Sequence, residues 1–124
     1  MTRRNHSAFG SKRERQVAEI LRAEGWVVFH NKASRGVCDL VALRGNWELT
    51  PNGRKELQTG WRGERMEARM VEVKGTTRSP WVAWGPAERQ ALVDAARQAG
   101  AVPLLAWWPP HGELQWLGES EWPI

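Results

Sequence analysis

The sequence predicts an α/β fold, a mixed central β-sheet flanked by helices, in a single domain over 1–124. Three observations predict it. One amphipathic run stops at Gly25, and a second opens at Pro86 and stops at Gly100. Apolar runs of strand length occupy 26–29, 39–43, 70–75, 101–107 and 114–117. Their order, helix, three or more strands, helix, two strands, suits a sheet covered by helices. A length of 124 residues supports one modest core and not two.

Hydrophobic content of 41% and charged content of 26% describe a soluble globular chain. The longest apolar stretch, within 101–108, contains Pro103, so no membrane span is expected. With no secretory h-region and one cysteine, Cys38, the expected compartment is the cytoplasm. A net charge of +4 and a pI near 10.0 favour a polyanionic partner. Fourteen of the eighteen basic residues are arginine, which suits bidentate phosphate contacts, although codon usage in a GC-rich genome accounts for that bias equally well.

In chain order, residues 1–10 carry Arg3, Arg4 and His6 with little to bury and read as a flexible basic arm. Ser11 reads as the N-cap of a helix running to Glu24, with Lys12, Arg13 and Arg15 continuing the basic character. Val17, Ala18 and Leu21 share one face of it, and Glu14 projects from that side one turn earlier. Ser11-x-x-Glu14 also fits a capping box, so spacing assigns Glu14 to capping as readily as to chemistry. After the 26–29 strand, the loop carrying His30, Asn31, Lys32, Ser34 and Arg35 offers phosphate donors and leads to Asp39. The stretch 45–69, with Pro51-Asn52-Gly53, Gly60 and Gly63, reads as an insertion with at least one turn, a protruding hairpin in which Trp47-Glu48-Leu49 is a strand.

Met70 to Gly75 is the centre of the chemistry. Alternation on a strand turns Val71 and Val73 into the core and Glu72 and Lys74 to the opposite face. If this strand pairs with the one opened by Asp39, two carboxylates lie beside a lysine, a set suited to an oxygen-ligated divalent cation and an anionic substrate. The plainer alternative is a cross-strand ion pair on a solvated face. Trp81 and Trp84 fall in the loop 76–85, where stacking on bases and core packing both suit them. Cys38 is assigned to the core on the face opposite Asp39. Scattered histidines with one cysteine exclude a structural zinc site, and no Gly-rich phosphate loop, nucleophile elbow or dinucleotide fingerprint appears, so no small-molecule cofactor is expected.

Glu14-Arg15, Gly25-Trp26-Val27-Val28, a loop with Ser34, Asp39-Leu40-Val41-Ala42, Val71-Glu72-Val73-Lys74 and Ala101-Val102-Pro103-Leu104-Leu105-Ala106 occur in that order. The set resembles the archaeal-type Holliday junction resolvases of the PD-(D/E)xK nuclease superfamily, which also occur in viruses and phages. The resemblance implies a restriction-endonuclease-like sheet and a structure-selective endonuclease that resolves four-way DNA junctions by paired symmetric nicks as a homodimer. It implies Mg²⁺, with Mn²⁺ substituting, held by Asp39, Glu72, the Val73 carbonyl and Glu14. Lys74 would orient or polarise the attacking water, Ser34 matches a catalytic loop serine, and Arg15 and His30 match DNA-facing positions. Arg3, Arg4, Lys12, Arg13, Lys32, Arg35, Trp81 and Trp84 complete the expected DNA surface, and the 86–99 helix with the C-terminal strands is the expected dimer surface. In a phage-encoded protein the compartment becomes the host cytoplasm. Cys38 stands where the superfamily motif has proline, and Asp39 and Glu72 lie 33 positions apart because of the insertion. A repair or restriction-like nuclease of the same superfamily and a non-catalytic basic DNA-binding module are the alternatives.

Overall fold

Helix α1 (Thr2–Ala23) leads into β1 (Val27–His30) and β2 (Leu40–Arg44), then a hairpin of β3 (Trp47–Leu49) and β4 (Lys55–Leu57). The long strand β5 (Glu67–Gly75) follows, then a four-residue helix α2 (Pro80–Ala83), helix α3 (Pro86–Ala99), β6 (Val102–Trp108), β7 (Gln115–Gly118) and a 3₁₀ turn over Glu119–Glu121. The computed structural model describes residues 2–31, 36–45, 47–49, 55–57, 66–76 and 78–123, with backbone alone at 2–11, 47–49 and 55–57.

The main sheet has the order β1-β2-β5-β6-β7, and β3 and β4 form a separate two-stranded sheet among the described residues. Pairing is antiparallel except for β5 with β6, which run parallel, so that α3 is the crossover between them. Alternation along the strands then gives two cores. Val17, Ala18 and Leu21 of α1 pack on Trp26, Val28, Leu40, Ala42, Val71, Val73 and Ala106 on one face. On the other, Leu92 and Val93 of α3 pack with Cys38, Trp84, Leu105 and Trp122. The result is helix, sheet, helix, the predicted α/β architecture.

Helix α1 ends where the sequence places its end. Gly25 takes φ 94°, its amide donates to the Arg22 carbonyl at 3.0 Å, and the Trp26 amide reaches back to Leu21 at 3.1 Å. Those two bonds form a Schellman cap, and Trp26 and Leu21 meet in the same core, the apolar contact that accompanies it. Helix α3 stops at Gly100 by the same pair of bonds, to Arg97 and Ala96.

The start of α1 differs from expectation. Thr2–Gly10 is helical, so Arg3 and Arg4 lie on α1 and not on a flexible arm. Ser11 is therefore inside the helix and is not its N-cap, which removes the capping-box account of Glu14. Turns packed on the sheet from Val17 onward have already met the cost of helix nucleation, so the helix extends upstream one bond at a time, although Asn5, Ser7 and Gly10 are poor helix formers. Within the loop 76–85 the chain forms α2, with Pro80 at its first position and the Ser79 hydroxyl accepting from the Trp81 amide. Among the described residues no helix is long and apolar enough to cross a membrane.

Trp84 is 1% exposed and meets Trp122 edge to face at 4.8 Å. Trp84→Ala is expected to lower the unfolding free energy by about 3–5 kcal/mol, read from urea denaturation, as for other deletions of a buried tryptophan.

Candidate active site

The site arises where β2 runs out beside a longer β5. Their ladder runs from Arg44↔Glu67 to Leu40↔Val71, and the Asp39 amide then donates to the Val71 carbonyl at 3.0 Å. At the following rung a side chain replaces the missing strand: the Val73 amide donates to Asp39 Oδ2 at 2.8 Å. Backbone N–H and C=O of one strand residue point to the same side, so the Val73 carbonyl is also turned to this open edge. Asn31 holds Asp39 from behind. Its amide donates to the Asp39 carbonyl at 2.9 Å, and its side-chain nitrogen donates to the Cys38 carbonyl at 3.0 Å.

Glu72 points away from Val71 and Val73, toward the α3 layer, and is 9% exposed. Lys74 Nζ lies 3.3 Å from Glu72 Oε2, an ion pair with most of its surface withdrawn from water. Glu14 comes to Asp39 from α1 on the other face of the sheet. Beside this end of β5, Gly75 leaves room for the Arg13 side chain of α1, which a Cβ there would displace. Glu14, Asp39, Glu72 and Lys74, distant in the chain, are thus brought together at one end of the sheet.

Proton affinities record that crowding. Burial, then the charge of Asp39 and a hydrogen bond shared with it, raise Glu14 to about 7 against the pull of Lys74. Burial and the Asp39 charge raise Glu72 to about 8, although Lys74 is its ion-pair partner. Desolvation and like charge together therefore outweigh the ammonium. A cavity of ≈ 270 Å³ opens on the α3 side, bounded by Asp39, Glu72, Lys74, Cys38, Trp84 and Glu88. Glu88, in the first turn of α3, and Asn31 are contributors that sequence reading missed. Helical spacing marks Glu88 only as an acid near a helix N-terminus, and Asn31 reads only as a loop donor.

The remaining candidates divide by position. Lys12 and Arg15 are exposed on α1, and His30 is exposed at the end of β1, opposite Leu40. Arg13 is half-buried with its guanidinium 5.9 Å from the Trp108 ring centroid. Ser34, Lys32 and Arg35 lie outside the described residues, and Arg3 and Arg4 are placed by backbone only. Trp84 is corrected: a side chain 1% exposed presents no face to a base, and it serves as core and cavity wall. Trp81 is half-buried, stacked on Trp84 at 6.5 Å with the Arg89 guanidinium 5.5 Å from its ring. Cys38 is buried in the α3-side core as expected, and burial with the nearby Glu72 and Asp39 charges pushes its thiol up to about 11, away from nucleophilic use.

Among the described residues no three acids, histidines or cysteines stand ready around one point as a cage for a metal ion. Asp39 is turned to the Val73 amide and Glu72 to Lys74. The donor chemistry nevertheless fits a hard divalent cation: carboxylates that burial, together with the Asp39 charge, raises to about 7 and 8 are relieved by a cation as well as by a proton.

No family model matches the chain, and no curated protein matches it. Among solved structures it is similar to Hjc, a Holliday junction resolvase from the archaeal hyperthermophile Archaeoglobus fulgidus, with a TM-score of 0.59 and 20% sequence identity over 88% of this chain and 71% of that one. The two chains share a fold. The likeness agrees with the mixed five-stranded sheet between helices.

The raised Glu72 makes stability pH-dependent. Its folded value of about 8 lies above the ordinary 4.5 of the unfolded chain, so its contribution is full below about pH 4.5 and is lost as pH rises through about 8. In a chelator, the melting temperature is expected to fall between about pH 5 and pH 9, and Glu72→Gln to flatten that fall, with the variant the more stable protein at the alkaline end. Equal slopes for the two proteins would remove Glu72 as the cause.

Proposed function

We propose that this chain is a metal-dependent endodeoxyribonuclease that resolves four-way DNA junctions. The observation that carries the reading is the convergence of Glu14, Asp39 and Glu72 around the free end of β2, with Lys74 at 3.3 Å from Glu72. Its support from comparison is the fold shared with a protein described as a Holliday junction resolvase.

Asp39, Glu72 and the Val73 carbonyl, with Glu14 completing the set, would hold Mg²⁺. When bound, the ion supplies positive charge at a phosphate oxygen and lowers the pKa of a coordinated water. Lys74 adds an ammonium that orients the attacking water and faces the charge developing on the phosphate. The Asp39 bond to Val73 keeps the carboxylates registered to one another before substrate arrives. Exposed Lys12 and Arg15, with Arg3 and Arg4 on the same helix, supply phosphate contacts that follow shape and not base sequence. A junction presents two symmetry-related strands, so symmetric nicking calls for two copies about a two-fold axis. A repair or restriction-like nuclease would use the same four site residues, and only the choice of DNA separates the two readings.

The test is cleavage of a labelled four-way junction in Mg²⁺, set beside a flap and a linear duplex of the same sequence. Wild type is expected to give paired symmetric nicks in the junction, and Glu72→Gln to lose about a hundredfold or more in rate. Binding should weaken steeply as salt rises. Junction cleavage by Glu72→Gln at the wild-type rate would sink the proposal. Because Glu14 and Glu72 must shed protons to accept a cation, the Mg²⁺ concentration giving half-maximal cleavage is expected to fall as pH rises from about 6 to about 8.5. A pH-independent requirement would show that these acids do not hold the metal.

A further inference from the structure

The segment after Lys74 is built more firmly than a connecting loop needs. Pro80 is buried, the Ser79 hydroxyl accepts from the Trp81 amide at 3.3 Å, and the Trp84 amide closes the turn on the Pro80 carbonyl at 3.0 Å. Trp81 stacks on Trp84, Trp84 meets Trp122, and the buried Arg89 donates to the Trp84 carbonyl at 2.6 Å. A hydrogen bond of 3.0 Å from Trp107 Nε1 to the Thr76 hydroxyl ties the start of the segment to β6.

What this scaffold holds up is Val82, which is 76% exposed, the highest value among the exposed large apolar side chains of the described residues. A valine alone on a surface is ordinary. This one sits on a braced turn that packs on β5, its C-terminal Trp84 forms a wall of the carboxylate cavity, and Arg78 is exposed a few residues before it. An apolar tip four residues after a basic one, on a turn whose Trp84 walls the proposed phosphodiester site, suits a nucleic-acid feature that offers apolar surface among phosphates. Stacked duplex hides its base faces, whereas a branch point exposes them.

We propose that Val82 is a wedge that seats against an unstacked base at the branch point and so selects branched over linear DNA. The proposal rests on the junction-nuclease reading and names what makes that site structure-selective. Its partner surface is a base face and not a sequence-specific edge, because a valine has no hydrogen-bonding group.

The test uses the full chain in Ca²⁺, with 2-aminopurine at the branch point of a four-way junction and at the same position of a linear duplex. Wild type is expected to raise the fluorescence of the junction on binding and to bind it in preference to duplex. Val82→Ser, at a position too exposed to affect folding, is expected to abolish the fluorescence rise and to lower the junction-to-duplex preference about tenfold, comparable to losing the burial of one valine side chain, while Val82→Leu retains both. Val82→Ser with wild-type fluorescence and preference would overturn the wedge and leave the nuclease reading standing. A wild-type chain that shows neither signal nor preference would overturn both.

Discussion

The bond from the Val73 amide to the Asp39 carboxylate is the constraint from which the site follows. Strand β5 has nine residues and β2 five, so along their shared edge β5 continues past the end of its partner. A backbone amide left at such an edge inside the structure must find an acceptor or carry the cost of an unmade hydrogen bond. Asp39 is the first residue off the strand, and its carboxylate takes that amide at 2.8 Å. Satisfying a backbone donor thereby fixes a negative charge beside Glu72, whose own direction is already set by the alternation that buries Val71 and Val73. The acids are close because strand pairing and strand length put them there.

Closeness then acts on proton affinity. In water two carboxylates at such range repel weakly, but this end of the sheet lies between two apolar layers, where screening is poor and desolvation penalises the charged form. Lys74 offsets part of that penalty and does not cancel it, since Glu72 still rises to about 8. Near neutral pH Glu14 and Glu72 therefore bind protons more tightly than free carboxylates do. A divalent ion would exchange for such protons at small cost, whereas a site of fully ionised, unpaired acids would have destabilised the fold.

Several of these features were legible in the sequence because they are dictated locally. The Val71-Glu72-Val73-Lys74 alternation, the Val17, Ala18 and Leu21 stripe, and the Gly25 and Gly100 stops each follow from one periodicity or one backbone requirement, and the structure reproduces them. Glu14 was ambiguous because its capping role depended on where α1 begins, which is decided by packing farther along the helix and not by Ser11. Trp84 was misplaced because tryptophan suits a base stack and a core equally well, and only the return of Trp122 from the C-terminal end of the chain encloses it. Asn31 and Glu88 had no local signature of a place at this site, since one acts through its bonds to the backbone of residues 38 and 39 and the other through the position of a whole helix.

The 33-residue separation of Asp39 and Glu72 leaves the site undisturbed for a related reason. Antiparallel β2 and β5 carry the site at one end, and the β3–β4 hairpin leaves from the other, between Arg44 and Glu67. That far end is clamped. Arg44 Nε meets Glu67 Oε2 at 2.7 Å, and the Arg44 and Arg69 guanidiniums both lie over the Trp26 ring, at 4.3 and 4.4 Å from its centroid. The ladder between clamp and site fixes register, and in a sheet buried on both faces a one-residue slip would turn Leu40, Ala42 and Val71 out of their core. Lengthening the connection adds only a slowly growing closure entropy, whereas shifting the register would cost the core. Register and not chain distance therefore determines whether Asp39 meets Val73, which is why the placement of Asp39 beside Glu72 tolerates an excursion of this length between them.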